Sequence, residues 1–324
     1  MVSVIAIELD GQYRALRDAV GLLDRSERGK LLVEGPDATG FLQGQITNDV
    51  EALAPGEGCY AALLDRKGHM EADLRVLRVG ANTFWLDTEA TTRDALARHL
   101  ELYRVGRDVE LRDVTTEHAL HSLIGPAAAQ VLDQPPRGLE HTHLESELTG
   151  LSCRAIVTDV GIDVISPAQS DAGIRAMLLG AGAEDVSEDA AEIVRVESGR
   201  PRYGSEMTQA TIPQEAGIND RAVSLTKGCY IGQETVARLH YKGKPNRHLR
   251  GLRFDANAAA GDSIHLGERD AGRVGTAVLS PALGPIGLAI VRREVVVGDR
   301  VDVAGTTTAE VVELPFVDPS AELG

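Results

Sequence analysis

Near residue 247 the chain changes character, and that change constrains its architecture more than any other feature of the 324 residues. Upstream, amphipathic helices and alternating strands are interleaved. Downstream come short β-rich runs such as Ile286 to Arg292 and Glu294 to Val297, punctuated by Gly261, Gly267, Gly272, Gly275, Gly284, Gly287, Gly298 and Gly305. Short strands separated by closely spaced turns predict a small all-β barrel. The boundary falls at Gly243 to Asn246, around Pro245.

Upstream, Gly11 to Asp24 reads as a helix and Gly29 to Gly35 as a strand, with Leu31 and Val33 alternating against polar neighbours. Asp37 can cap a short helix carrying Phe41 and Leu42. Cys59 to Asp65 and His69 to Val79 read as strands joined at Arg66-Lys67-Gly68, and Thr83 to Asp87 as a third. The spacing of Leu96, Leu100 and Tyr103 predicts a helix from about Thr91 to Tyr103. Strand-like Val109 to Val114 and His118 to Ile124 then lead to Gly125-Pro126, where proline suits the first turn of a helix ending near Leu132. Gln134 to Glu147, with its prolines, His141 and His143, reads as a polar surface excursion in which the two histidines are solvated. Beyond it, Leu151 to Val157 and Ile162 to Ile165 are strands, and Ser170 to Leu179 and Glu188 to Ser198 are helices stopped by Gly180 and Gly199. No GxGxxG follows a strand. The pattern is α+β with antiparallel sheet rather than a dinucleotide fold.

Composition narrows the function classes. Thirty-three basic against 49 acidic residues give a net charge of −16, which repels a phosphate backbone and argues against direct nucleic-acid binding. One exception is local: Thr235 to Phe254 holds Arg238, His240, Lys242, Lys244, Arg247, His248, Arg250 and Arg253 without an acid, either an anion-binding edge or a solvated connector. Cys59, Cys153 and Cys229 form no CxxC or Cys/His spacing, so neither a disulfide framework nor a metal site is expected. No apolar run approaches a membrane span, and a reducing cytoplasm is the expected compartment.

The densest chemical signal is Lys227 to Arg238, with Lys227, Gly228, Cys229, Tyr230, Gly232, Gln233, Glu234 and Arg238. Its glycines predict a tight loop on which Cys229 is either an accessible thiol, its thiolate stabilised by Lys227, or a small core residue on a turn. This segment resembles the signature of the YgfZ family, folate-binding relatives of the glycine-cleavage aminomethyltransferase, or T-protein. Three further stretches resemble the same family in order: Gly35 to Val50, Tyr60 to Leu74, and Arg195-Val196-Glu197-Ser198-Gly199 with Tyr203-Gly204. Pro213 and Glu215 also match a family loop.

The resemblance implies two intertwined ferredoxin-like α+β units around a central folate pocket, followed by the barrel. On that pattern residues 1–50 and 118–242 form a discontinuous folate-binding domain, 51–117 a second α+β domain, and 247–324 the barrel. It implies that Tyr60, Asp73, Glu197 and Lys227 bind tetrahydrofolate or a one-carbon derivative, with Asp73 and Cys229 as the catalytic candidates. The competing readings are that Asp73 is the solvated end of a hairpin and, were it not for the flanking Arg195 and Tyr203-Gly204, that Glu197 is a surface glutamate at a helix end. The YgfZ branch implies support of iron–sulfur cluster assembly or repair, benefiting tRNA methylthiolation indirectly, with assembly factors or client enzymes as partners. The T-protein branch implies folate-dependent aminomethyl transfer or demethylation. Against the latter, T-proteins carry two adjacent aspartates where this chain has Ala72 and Asp73.

Overall fold

The structure, a computed structural model describing residues 2–317, opens with α1 (Val2–Asp18). The helix does not run on to Asp24. Leu22 and Leu23 are both buried, and β1 (Gly21–Asp24) instead pairs antiparallel along its length with residues 121–124. Gly21, the first residue of β1, packs closely against Leu16 and Val186, and a Cβ there would lie 2.5 Å from Leu16 Cδ2. Next come β2 (Gly29–Glu34), α2 (Ala38–Gln45), β3 (Gly58–Leu64), β4 (Met70–Gly80), β5 (Thr83–Thr88), α3 (Arg93–Tyr103) and β6 (Glu110–Asp113). Asp37 precedes α2 without capping it through its side chain; its carboxylate accepts instead from the Asp108 backbone N–H at 2.9 Å.

The chain continues through β7 (His118–Ile124), β8 (His143–Leu148), β9 (Leu151–Thr158), β10 (Gly161–Pro167), α4 (Asp171–Gly180), β11 (Glu184–Asp185) and α5 (Glu188–Glu197). After Pro126 there is only a short 3-10 turn, Ala128–Val131, so the expected helix there is not formed. The predicted surface excursion is partly ordered as β8, which extends the sheet beside β9 and buries both His141 and His143. Three short helices follow, α6 (Pro213–Ala216), α7 (Asn219–Ala222) and α8 (Gln233–Lys242). Then β12 (Arg247–Phe254), β13 (Ser263–Leu266), β14 (Arg269–Ser280), β15 (Gly284–Arg292), β16 (Arg300–Val303) and β17 (Thr307–Val312) close into a six-stranded barrel, as the glycine punctuation predicts.

Two sheets make up the α+β part. One runs β11-β1-β7-β10-β9-β8, and the other β3-β4-β5-β2-β6. A division at residue 50 does not follow them: β2 lies in the second sheet, between β5 and β6, although it precedes that residue. The segment after α5 returns to the second sheet, where Ala216, Ile218, Ala222, Tyr230 and Val236 pack with Ala62, Leu64 and Met70. The chain therefore passes from one sheet to the other, back, and across again.

Strand alternation divides β4 between two environments. Ala72, Leu74 and Val76 enter the core with α2 and α3 residues, while Asp73, Arg75 and Leu77 take the opposite face, toward the other sheet. Between the sheets, Leu77 and Trp85 pack on Leu120, Ile156 and Ile165. Beside this apolar contact the interface turns ionic. Arg75 donates to Asp87 of β5 at 2.5 Å and to Asp163 of β10 at 2.7 Å, and all three side chains are buried. Arg28 completes the cluster on Asp87 at 2.7 Å. Opposing burial, which raises it, Arg28 and Arg75 hold the Asp87 carboxyl below the usual carboxylate range.

Removing one member of a buried ionic cluster strands its partners. Arg75→Met is expected to destabilise the protein by about 3 kcal/mol, seen as a lower urea midpoint. An unchanged midpoint would contradict the account of how the two sheets are joined.

Candidate functional site

Tyr60 on β3 and Asp73 on β4 sit on neighbouring strands, and the Tyr60 hydroxyl donates to Asp73 Oδ2 at 2.7 Å. Both line a cavity of about 180 Å³ between the two sheets, whose walls also include Arg28, Arg75, His141 and Asp163. The other carboxyl oxygen, Oδ1, is buried without a protein partner. Burial pushes the Asp73 carboxyl up to about 6, against the opposing pull of the Tyr60 hydrogen bond; Glu89 adds to the rise and Arg28 opposes it. Asp73 is thus no solvated hairpin end. It is a partly enclosed acid that changes protonation near neutrality.

Alternation also places the neighbouring residue. Ala72 is fully buried on the opposite face of β4, in the core beneath α2 and α3. In this register a side chain at 72 does not reach the cavity that Asp73 lines.

The Lys227 to Arg238 motif lies elsewhere on the same sheet, and its conformation corrects one expectation. The Lys227 ammonium donates to the carbonyls of Gln43 and Ile46 at 2.7 Å and of Asn48 at 2.9 Å. These acceptors lie at the end of α2, where helical carbonyls lack intrahelical partners. Lys227 therefore ties α2 to the motif rather than stabilising a Cys229 thiolate or facing the Tyr60–Asp73 cavity. Burial lowers its own pKa to about 8. Tyr230 is buried against β3 and β4. Gly232, at φ +83°, packs so tightly on the hairpin loop that a Cβ would come within 2.6 Å of the Asp65 carbonyl. Cys229, Gly228, Glu234 and Arg238 are exposed, and Gln233 is half-buried.

The Gly35 to Val50 stretch works in the same way. Thr47 Oγ1 accepts from the Ala62 N–H at 2.8 Å and donates to the Ala222 carbonyl, while Asn48 donates to the Tyr60 carbonyl at 2.8 Å and the Arg221 carbonyl at 2.9 Å. Arg221 lies over the Tyr60 ring, 5.2 Å from its centroid. Two motifs thus hold the strand that presents Tyr60.

Glu197 stands apart from Tyr60 and Asp73. It is fully buried, accepting from Tyr13 at 2.9 Å and Ser280 at 2.5 Å, with Arg17 at 3.7 Å. It joins α1, α5 and the barrel, and is neither a surface glutamate nor a wall of the Tyr60–Asp73 cavity. Beside it opens a larger cleft of about 540 Å³, lined by Tyr13, Arg17 and Ser198, which shares Ile124, Asp159 and Val160 with the smaller cavity. The basic run does not form one patch. Arg247 pairs with Glu215 at 2.7 Å, and Arg253 lies over the Phe316 ring. Arg238, Lys244 and the paired Arg247 border one shallow cleft with Lys67, which Arg253 does not line.

His141 is the site residue that sequence reasoning missed. A neighbouring histidine and the Pro/Gly-rich context imitate a solvated loop, and burial follows only from the addition of β8 to the sheet. Among the described residues no group of three or more His, Cys, Asp or Glu side chains is placed to hold a metal, and no helix is long and apolar enough to cross a membrane.

Comparison with known proteins gives this geometry a context. Residues 8–227 match the family model for the GCVT N-terminal domain, and 247–318 match the glycine cleavage T-protein C-terminal barrel domain. The chain belongs to the glycine-cleavage T-protein family. Its similarity to aminomethyltransferases extends over nearly the whole length. The Rubrobacter xylanophilus protein is 30% identical, over 95% of this chain and 86% of its own, and that of Geobacillus kaustophilus 30% identical, over 94% and 89%. The crystal structure of glycine cleavage system aminomethyltransferase T from Bartonella henselae matches with a TM-score of 0.87 at 25% identity, over 96% of this chain and 90% of that one. The match is to the T-protein family at large; the narrower YgfZ resemblance rests on the Lys227 to Arg238 motif.

Asp73 yields a test by linkage. Its folded pKa of about 6 exceeds the ordinary value near 4, so the fold holds this proton more tightly than the unfolded chain does. The stability it contributes is complete below about pH 4 and is lost as pH rises toward 6. Asp73→Asn is therefore expected to be more stable than the wild type at pH 8, by about 2 kcal/mol, with the difference closing near pH 4 in urea titrations. Equal or lower stability at pH 8 would show that the carboxylate is well accommodated.

The cysteines provide a second. Burial pushes the Cys59 and Cys153 thiols up to about 12 and about 11, whereas Cys229 is exposed. Iodoacetamide at pH 7.5 followed by peptide mass spectrometry should label Cys229 alone before unfolding. Comparable labelling of all three would contradict the packing described for the other two.

Proposed function

We propose that this protein binds a reduced folate, tetrahydrofolate or a one-carbon derivative, and acts as a folate-dependent one-carbon transferase of the aminomethyltransferase kind. One observation carries the reading: Asp73 presents a single unpartnered carboxyl oxygen toward a half-open cavity between the sheets, where burial pushes its pKa up to about 6. The similarity to aminomethyltransferases along the chain supports it. So do the adjoining cavities, whose shared walls accommodate a long ligand with one end beside Asp73.

The cavity walls fit such a ligand chemically. Oδ1 of Asp73 can accept from an N–H when ionised and donate when protonated, and a pKa near neutrality populates both forms. Tyr60 fixes the orientation of the carboxyl by holding the other oxygen. A bound reduced folate supplies an amine nitrogen able to take up or release a one-carbon unit. Asp73 is placed to hold or move the proton of that nitrogen, while the walls of the cavity restrict water around it. Ala72 packs in the core on the other face of β4, so Asp73 is the carboxylate of that strand to which the reading assigns the proton.

A second reading is favoured by the exposure of Cys229 on the motif loop. It is the YgfZ-like role, in which a folate-binding protein supports iron–sulfur cluster assembly factors or client enzymes through a surface thiol. Failure of a Cys229→Ala copy to restore a cluster-dependent enzyme in a deletion strain would favour this role over transfer alone.

Isothermal calorimetry with tetrahydrofolate tests the main reading. The wild type should bind in the micromolar range, and Asp73→Asn about tenfold or more weakly, the loss expected for a hydrogen bond to a charged group. No binding by the wild type would overturn the folate reading.

A further inference from the structure

His141 lines the Asp73 cavity and is 9% exposed, yet neither ring nitrogen has a hydrogen-bond partner in the protein. Glu140 Oε1 approaches Nε2 only to 3.5 Å. A buried imidazole normally directs at least one nitrogen to a protein group, and leaving donor and acceptor both unmet is costly. The unpartnered atoms are also concentrated here: Asp73 Oδ1 and Arg75 Nε belong to the same walls.

The backbone is shaped to put the ring in place. His141 has φ +72°, a left-handed conformation that non-glycine residues adopt infrequently. Its N–H donates to the Val157 carbonyl at 2.8 Å, and the Val157 N–H donates to the Thr142 carbonyl at 2.9 Å, which pins the segment to β9. Across from it, Gly58 leaves the necessary room: a Cβ there would lie 3.0 Å from His141 Cβ and 2.6 Å from the Val76 carbonyl. A strained residue, an obligatory glycine opposite it and two free ring nitrogens together describe a built contact.

Its surroundings keep the ring neutral. Burial lowers the pKa of His141 to about 3, and the guanidiniums of Arg75 on β4 and Arg221 on α7 add to the fall. Asp159, in the turn between β9 and β10, and Asp163 on β10 oppose it, and Glu140 stands beside the ring. At physiological pH the side chain therefore offers one N–H donor and one bare nitrogen acceptor. The cavity as a whole presents three arginines and five carboxyl-bearing residues, a balance that disfavours phosphate and suits an uncharged heterocycle rich in N–H groups, or an amine.

We propose that His141 is a ligand-contacting residue of the cavity, its neutral imidazole donating one hydrogen bond to, and accepting one from, the polar edge of the bound heterocycle opposite Asp73. This rests on the folate reading, with the reduced pterin as that heterocycle. Asp73 handles the titrating proton, whereas His141 recognises the ligand without changing charge.

Calorimetry with tetrahydrofolate at pH 7.5, paired with urea unfolding of the ligand-free proteins, tests the assignment. Replacing the ring by an apolar one, H141F, should weaken binding about tenfold or more; the left-handed backbone at 141 disfavours a bulky side chain, so a somewhat lower urea midpoint with a cooperative transition is expected of the ligand-free variant. H141N tolerates the left-handed backbone and keeps a donor and an acceptor, so it should bind within about threefold of the wild type. In the wild type, the ring 15N signals of His141, assigned by their loss in H141N, should move on addition of tetrahydrofolate. Binding by the wild type with unchanged affinity in H141F, or with unmoved ring signals, would overturn the role of His141 alone. Failure of the wild type to bind would overturn the folate reading and this inference together.

Discussion

Arg75 sets the geometry on which the site depends. Its guanidinium bridges Asp87 in one sheet and Asp163 in the other, so the sheets meet at this point through a buried ionic contact rather than through interdigitated apolar side chains. Trp85, Leu77, Ile156 and their neighbours close the apolar part of the same interface. Where packing gives way to charge a cavity remains, and Tyr60, Asp73 and His141 line it. Exchange of a buried ion pair for apolar residues often costs little stability. What the pair contributes here is a polar gap of fixed width.

Much of the remaining polar structure holds one strand of that gap. Lys227 secures the end of α2, Thr47 and Asn48 join β3 to α7, and Gly232 lies against the β3–β4 hairpin loop. Three of the four sequence stretches that carry the family resemblance thus converge on the hairpin that bears Tyr60 and Asp73. Two of those stretches supply scaffolding for it, and the exposed Cys229 is a separate surface feature of the last.

This division explains what could be read from the chain alone. The β3–β4 hairpin was legible because Arg66-Lys67-Gly68 separates two alternating runs, and the barrel because glycine recurs between short strands. Tyr60 and Asp73 were singled out only through the family resemblance, since the alternation of the hairpin by itself leaves Asp73 as a hairpin end. The roles of Lys227 and Glu197 were not, since each is set by groups far away in sequence: the carbonyls of Gln43, Ile46 and Asn48 for one, Tyr13 and Ser280 for the other. His141 was the least legible. Its burial depends on β8 joining β9, and the short, polar β8 carries little apolar periodicity. Nor could the membership of β2 in the second sheet be read from local pattern, because it is a question of long-range pairing.

The central claim is that the cavity between the two sheets receives a reduced pterin between Asp73 and His141. A crystal structure of the protein with 5-methyltetrahydrofolate tests it most directly. The account predicts the pterin in this cavity, with one nitrogen within hydrogen-bonding distance of Asp73 Oδ1 and its polar edge on the His141 ring. A pterin bound only in the larger cleft beside Glu197, with Asp73 and His141 untouched, would contradict it.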